Sequence, residues 1–183
     1  MRLEGFDYGT DGAYLITLRS YKNQYIFSDI INAEVRLKAL GEIIDEQLRT
    51  TCEIRKYATV TEWMIMPNHI HFVIFIHKAA EEPEHLSPKG SGLYFPDGYF
   101  NKFGPQRENL ASIIRGIKSA VTVRARNLQM SVPVWQPSFY EHIIRNEIEL
   151  EGLILYIRQN PSAWEKNECS PRNSNEGNAS IAF

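Results

Sequence analysis

The chain has 183 residues, 43% of them hydrophobic and 23% charged, enough apolar material for one sizeable core under an ordinary polar surface. A formal net charge of -2 excludes a uniformly basic protein that coats nucleic acid and leaves a local basic face open. No stretch approaches the roughly 18 apolar residues that span a bilayer, and MRLEGFDYGTDGAYLI is not a secretion signal, so a cytoplasmic location is expected. Cys52 and Cys169 form no Cys-x-x-Cys pair, which argues against a disulfide framework or a cysteine zinc site.

A strand is expected over residues 13–20 (AYLITLRS), after the turn residues Gly9, Asp11 and Gly12. Over residues 30–50 Ile31, Val35, Leu37, Leu40, Ile43, Ile44 and Leu48 recur at three- and four-residue steps with charges between them, which predicts an amphipathic helix. Residues 57–66 and 70–76 read as two strands separated by the turn chemistry of Pro67-Asn68. From 77 to 107 the composition shifts to Pro, Gly, Lys, Glu and scattered aromatics without periodicity, the mark of a long loop or insertion.

Helical spacing returns over residues 109–127, with Leu110, Ile113, Ile114, Ile117, Ala120 and Val121 on one side. Residues 135–145 (WQPSFYEHIIR) are aromatic and β-branched and read as a strand, and residues 147–160 read as a helix stopped by Pro161. Residues 166–183 carry few large apolar side chains and are expected to be a disordered tail after a single domain at 1–165. The order is βαββαβ plus a further helix, which predicts an α+β protein, a ferredoxin-like sandwich with an antiparallel sheet.

Two segments carry chemistry. In Met66-Pro-Asn-His-Ile-His-Phe-Val-Ile, residues two apart on a strand share a face, so His69 and His71 project together as a pair suited to a metal. Near the end of the last helix, Tyr156 and Asn160 are four apart and present a hydroxyl and an amide from one side. Residues 109–127 hold Arg115, Lys118, Arg124 and Arg126 without any acid, which makes that helix a candidate DNA-binding face. Tyr94, Phe95, Tyr99, Phe100, Lys102 and Phe103 could stack unpaired bases or fasten the insertion to the core. His142 is a candidate supporting residue, whereas His77 and His85 fit no ligand spacing. Gly90-Ser-Gly92 lacks the remainder of a dinucleotide or phosphate-loop motif.

Taken together and in order, DYGTDGAYLITLRS, WMIMPNHIHFVIFI, GIKSAVTVRARN, VWQPSFYEHIIRNEIELEGLILYIRQNP and the final Trp resemble the single-tyrosine His-hydrophobe-His transposase family, nearest the REP-associated tyrosine transposases. The resemblance covers roughly residues 7 to 165. It implies the ferredoxin-like fold and a divalent metal, Mg2+ or Mn2+, bound by His69 and His71 with Asn160 as third ligand, where relatives often carry Gln. It implies that Tyr156 is the nucleophile of a metal-dependent endonuclease and strand transferase working on single-stranded or hairpin DNA through a 5′-phosphotyrosine, as a monomer or homodimer. Two other readings share these residues: a catalytically silent hairpin-binding regulator, and a metal-dependent hydrolase that activates water.

Overall fold

The computed structural model describes residues 11–77, 109–130 and 133–168. In chain order these form β1 (Gly12–Arg19), a short 3-10 turn (Tyr21–Asn23), β2 (Ser28–Ile31), β3 (Glu34–Leu37), α1 (Ala39–Arg49), α2 (Thr51–Ile54), β4 (Ala58–Ile65), β5 (His69–Ile76), α3 (Leu110–Asn127), β6 (Tyr140–Ile144) and α4 (Glu147–Glu168).

Alternation decides which layer each strand residue enters. On β1 and β5 the side chains of Tyr14, Ile16, Leu18, Ile70, Phe72, Ile74 and Ile76 are buried on one face of the sheet. The apolar stripes of α1 (Leu40, Ile44, Leu48) and α3 (Ile113, Ile117, Val121) close over that face. On the opposite face Leu15, Val73 and Ile144 pack against Leu153 and Ile157 of α4. The strands run β4-β5-β1-β6 with every neighbouring pair antiparallel, which is the ferredoxin-like arrangement expected from the element order. The helix α3 starts where its sequence caps it: the Asn109 side chain accepts from the Ser112 N–H at 2.9 Å while the Ser112 hydroxyl accepts from the Asn109 N–H at 3.2 Å.

Three boundaries differ from expectation. The helix expected over residues 30–50 begins only at Ala39, because Ser28–Ile31 and Glu34–Leu37 pair as an antiparallel hairpin. Its two-residue turn, Asn32-Ala33, has φ of 54° and 61°, the left-handed geometry that suits a tight hairpin. The strand expected over 135–145 is confined to Tyr140–Ile144, because the carbonyls of Gln136, Pro137 and Ser138 turn toward the Lys118 ammonium instead of a neighbouring strand. The last helix does not stop at Pro161 but continues to Glu168. Proline costs α4 one backbone hydrogen bond there. Contacts beyond it compensate: Trp164 packs against Tyr25 and His69, and the Glu165 carboxylate accepts the Asn32 N–H at 3.0 Å.

Candidate active site

The strand β5 presents His69 and His71 to the α4 side of the sheet, since Ile70 and Phe72 between and beyond them are buried in the other layer. The two imidazoles meet edge to face with centroids 4.7 Å apart. Each is held through Nδ1. Asn68 Oδ1 lies 2.7 Å from Nδ1 of His69, and because an amide oxygen only accepts, that Nδ1 carries the proton and Nε2 the lone pair. Thr17, the cross-strand partner of His71 on β1, places its hydroxyl 2.8 Å from Nδ1 of His71. Neither Nε2 has a hydrogen-bond partner among the described residues. Burial pushes His69 down to about 3, with the neighbouring His71 and Arg19 adding to the effect, and burial together with Arg19 pushes His71 down to about 4. Both rings are therefore neutral near pH 7, the form that ligates metals.

The helix α4 crosses directly above this pair. The Tyr156 ring sits 5.5 Å from that of His71, and the Trp164 ring 5.7 Å from that of His69. Tyr156, Asn160 and Trp164 are spaced by four and so lie along one stripe, which puts the half-buried Asn160 between two residues that touch the histidines. Its Nδ2 makes a long 3.5 Å bond to the Tyr156 carbonyl. Tyr25, half exposed, continues the row at 5.5 Å from Trp164. Five rings thus run in sequence: Tyr156, His71, His69, Trp164 and Tyr25.

This donor set suits a divalent cation: two neutral imidazoles whose Nε2 atoms carry no bond to another described residue, and an amide on the facing stripe. It holds no carboxylate, and among the described residues there is no cluster of three or more His, Cys, Asp or Glu that could form a different metal site.

The remaining sequence candidates fall elsewhere. Arg115, Lys118, Arg124 and Arg126 stand on α3, which covers the face of the sheet opposite the histidines. Lys118 is occupied by the carbonyls of Gln136 at 2.7 Å and Ser138 at 2.8 Å, and Arg124 pairs with Glu46, while Arg115 and Arg126 are exposed. His142 on β6 contacts Glu149 at 2.7 Å and so joins the sheet to the first turn of α4 rather than to the imidazole pair. His77 stacks on Phe75. The segment 78–108, with Tyr94, Phe95, Tyr99, Phe100, Lys102, Phe103 and His85, lies outside the described residues.

Four residues around the histidines escape a linear reading. Thr17 and Arg19 stand opposite His71 and His69 in the β1–β5 register, Asn68 holds His69, and Tyr25 extends the ring row. Thr17, Arg19 and Tyr25 reach the site from segments far from the histidines in sequence, whereas Asn68 adjoins His69 and reads in sequence only as turn chemistry. The one signal available is the alternation of Leu15, Thr17 and Arg19 on a strand expected from the outset.

No family model matches the chain. An uncharacterized protein of Haemophilus influenzae is 29% identical over 168 residues, covering 92% of this chain and 90% of its own. Among solved structures, that of a REP-associated tyrosine transposase bound to a REP hairpin superposes with a TM-score of 0.56 at 17% identity, covering 90% of this chain and 74% of that one. A crystal structure of a Deinococcus radiodurans protein described as a transposase gives a TM-score of 0.45 at 12% identity over 88% of this chain and 97% of that one. Among the described residues no helix is long and apolar enough to cross a membrane. The chain therefore has a transposase-like fold, shared with a hairpin-bound tyrosine transposase.

Proposed function

We propose that this protein is a transposase-type enzyme that nicks and rejoins single-stranded DNA at hairpins, with Tyr156 as nucleophile and a divalent metal, Mg2+ or Mn2+, held by His69, His71 and Asn160. One observation carries the reading: the phenol ring of Tyr156 lies 5.5 Å from the ring of His71, one of two neutral imidazoles whose Nε2 atoms have no hydrogen-bond partner among the described residues. A tyrosine placed against a metal-ready histidine pair is what covalent phosphoryl transfer needs and what a core tyrosine does not.

When bound, the metal would supply charge neutralisation at the scissile phosphate and polarise the bond to the leaving oxygen. The chain's own residues do the rest. Tyr156 Oη loses its proton and attacks phosphorus, the new O–P bond forms as the P–O3′ bond breaks, and the released 3′ oxygen gains a proton. The 5′-phosphotyrosine keeps a phosphodiester, so attack by another 3′-hydroxyl rejoins the strand and restores the tyrosine without an outside energy source. Thr17 and Asn68 fix the ring orientation of the two ligands through Nδ1. Arg115 and Arg126, exposed on α3, are the phosphate contacts of this reading on the far side of the sheet.

Covalent trapping tests it. Protein, Mn2+ and single-stranded DNA bearing palindromes are resolved under denaturing conditions and the adduct is mapped by mass spectrometry. An adduct on Tyr156 that is lost with chelator, with Tyr156→Phe and with His71→Ala is expected. Metal-dependent cleavage that survives Tyr156→Phe would overturn the reading in favour of a hydrolase, and tight hairpin binding without cleavage would favour a regulator.

A further inference from the structure

Arg19 ends β1 directly opposite His69 in the antiparallel register, and directly opposed residues share a face of the sheet. Its side chain is exposed, and among the described residues it has no ion pair or side-chain hydrogen bond. Its backbone is committed, since the Arg19 carbonyl accepts the Gln136 N–H at 2.9 Å, so the residue's position is set by the fold while its side chain is exposed. Among the described residues no carboxylate offsets it. Glu165, on the turn of α4 that faces the pair, is turned to the Asn32 N–H, and Glu62 is turned to Arg158.

A divalent ion between His69, His71 and Asn160 would meet three neutral ligands and a neighbouring cation. Such a site is electrostatically incomplete until an anion enters. A phosphodiester meets that need in charge and shape, because a guanidinium takes two phosphate oxygens through paired N–H donors.

We propose that Arg19 is the phosphodiester clamp of this site and that it opposes metal binding in the free protein, so that metal and single-stranded DNA are captured together. This rests on the metal-dependent reading above. Coupling of this kind is reciprocal: whatever the DNA adds to metal affinity, the metal adds to DNA affinity.

The test uses the full chain in a Tyr156→Phe background, which prevents turnover, with Mn2+ followed by electron paramagnetic resonance and a single-stranded hairpin oligonucleotide followed by fluorescence anisotropy. Arg19→Gln is expected to tighten Mn2+ binding without DNA by roughly 3- to 10-fold, the scale of a unit charge acting on a divalent ion at a wet surface. The same variant is expected to weaken oligonucleotide binding in Mn2+ by at least as much, with Arg19→Lys falling between it and the unchanged protein. Opposite signs for the two ligands are the signature, because a merely structural change weakens both. Unchanged affinities, or losses in both, would overturn the clamp. If the opposite shifts appear while Tyr156 in the unmodified protein forms no adduct, the clamp stands and the tyrosine chemistry fails. If the adduct forms equally well with Arg19→Gln, the clamp alone fails.

Discussion

Glu165 and Asn32 are 133 positions apart, yet Oε1 of the first accepts the backbone N–H of the second at 3.0 Å. The bond ties the part of α4 beyond Pro161 to the β2–β3 turn and holds Trp164 over His69. Glu165→Ala should cost about 1 kcal/mol or less in global stability, since the bond is exposed. It should markedly accelerate amide hydrogen exchange at Asn32 and in the last turns of α4. Unchanged exchange at Asn32 would show that the contact does not hold the hairpin.

Thr17 acts on the site only through the ring of His71, to which its hydroxyl is bonded at 2.8 Å. Thr17→Val keeps the branched shape and removes that partner, leaving Nδ1 of His71 unheld. Mn2+ affinity is expected to fall by about 10-fold, as is usual when a ligating histidine loses its outer partner, and Thr17→Ser should restore it. Isothermal titration calorimetry decides; an affinity unchanged by Thr17→Val would remove Thr17 from the site.

The depressed imidazoles make stability pH-dependent with a definite sign. Above about pH 6.5 both rings are neutral in the folded and unfolded chain and contribute nothing. As pH falls, the unfolded chain takes up protons near 6.5, whereas folded His71 waits until about 4 and folded His69 until about 3. The unfolded state therefore binds more protons, and stability declines from about pH 6.5 down to about 4 through His71 and down to about 3 through His69, by at most about 1.4 kcal/mol per pH unit for each ring. Urea unfolding at several pH values should show this decline, and the double variant His69→Asn with His71→Asn should flatten it. An equal slope in the variant would place the effect in other groups.

Gly41 and Ala33, on adjoining elements, should respond oppositely to exchanging a methyl group. A Cβ on Gly41 would sit 2.1 Å from the Phe27 carbonyl oxygen, so Gly41→Ala is expected to destabilise by about 1–3 kcal/mol despite the better helix propensity of alanine. Ala33 has φ of 61°, where a Cβ is strained, so Ala33→Gly is expected to stabilise by about 0.5–1 kcal/mol. Thermal unfolding of both variants checks the pair of signs.

The ferredoxin-like order was legible because its parts differ in pattern: β5 is a short run rich in β-branched and aromatic residues after turn residues, and α3 carries a continuous apolar stripe at helical spacing. The β2–β3 hairpin was not, since Ile31, Val35 and Leu37 have helix-like spacing and the Asn32-Ala33 turn lacks the glycine that usually announces such a turn. Pro161 misled for a related reason, as local propensity was overruled by Trp164 and Glu165 contacts made far away in sequence. In the site, His69 and His71 are readable as a pair from their spacing, and Tyr156 and Asn160 from theirs. That the two pairs face each other, and that Thr17 and Arg19 join them, depends on strand register and on the path of α4 across the sheet.

That path has a consequence for how copies of the chain share work. The helix bearing Tyr156 is fastened at its start by His142 and Glu149, at its middle by Leu153, Ile157 and the Arg158–Glu62 pair, and at its end by Glu165. Lending the tyrosine to another copy would require releasing all of these together and would uncover the apolar face of Leu15 and Val73. On the reading proposed above, this packing places Tyr156 to serve the histidines of its own chain, and a pairing of two chains would have only to bring two such sites to one substrate.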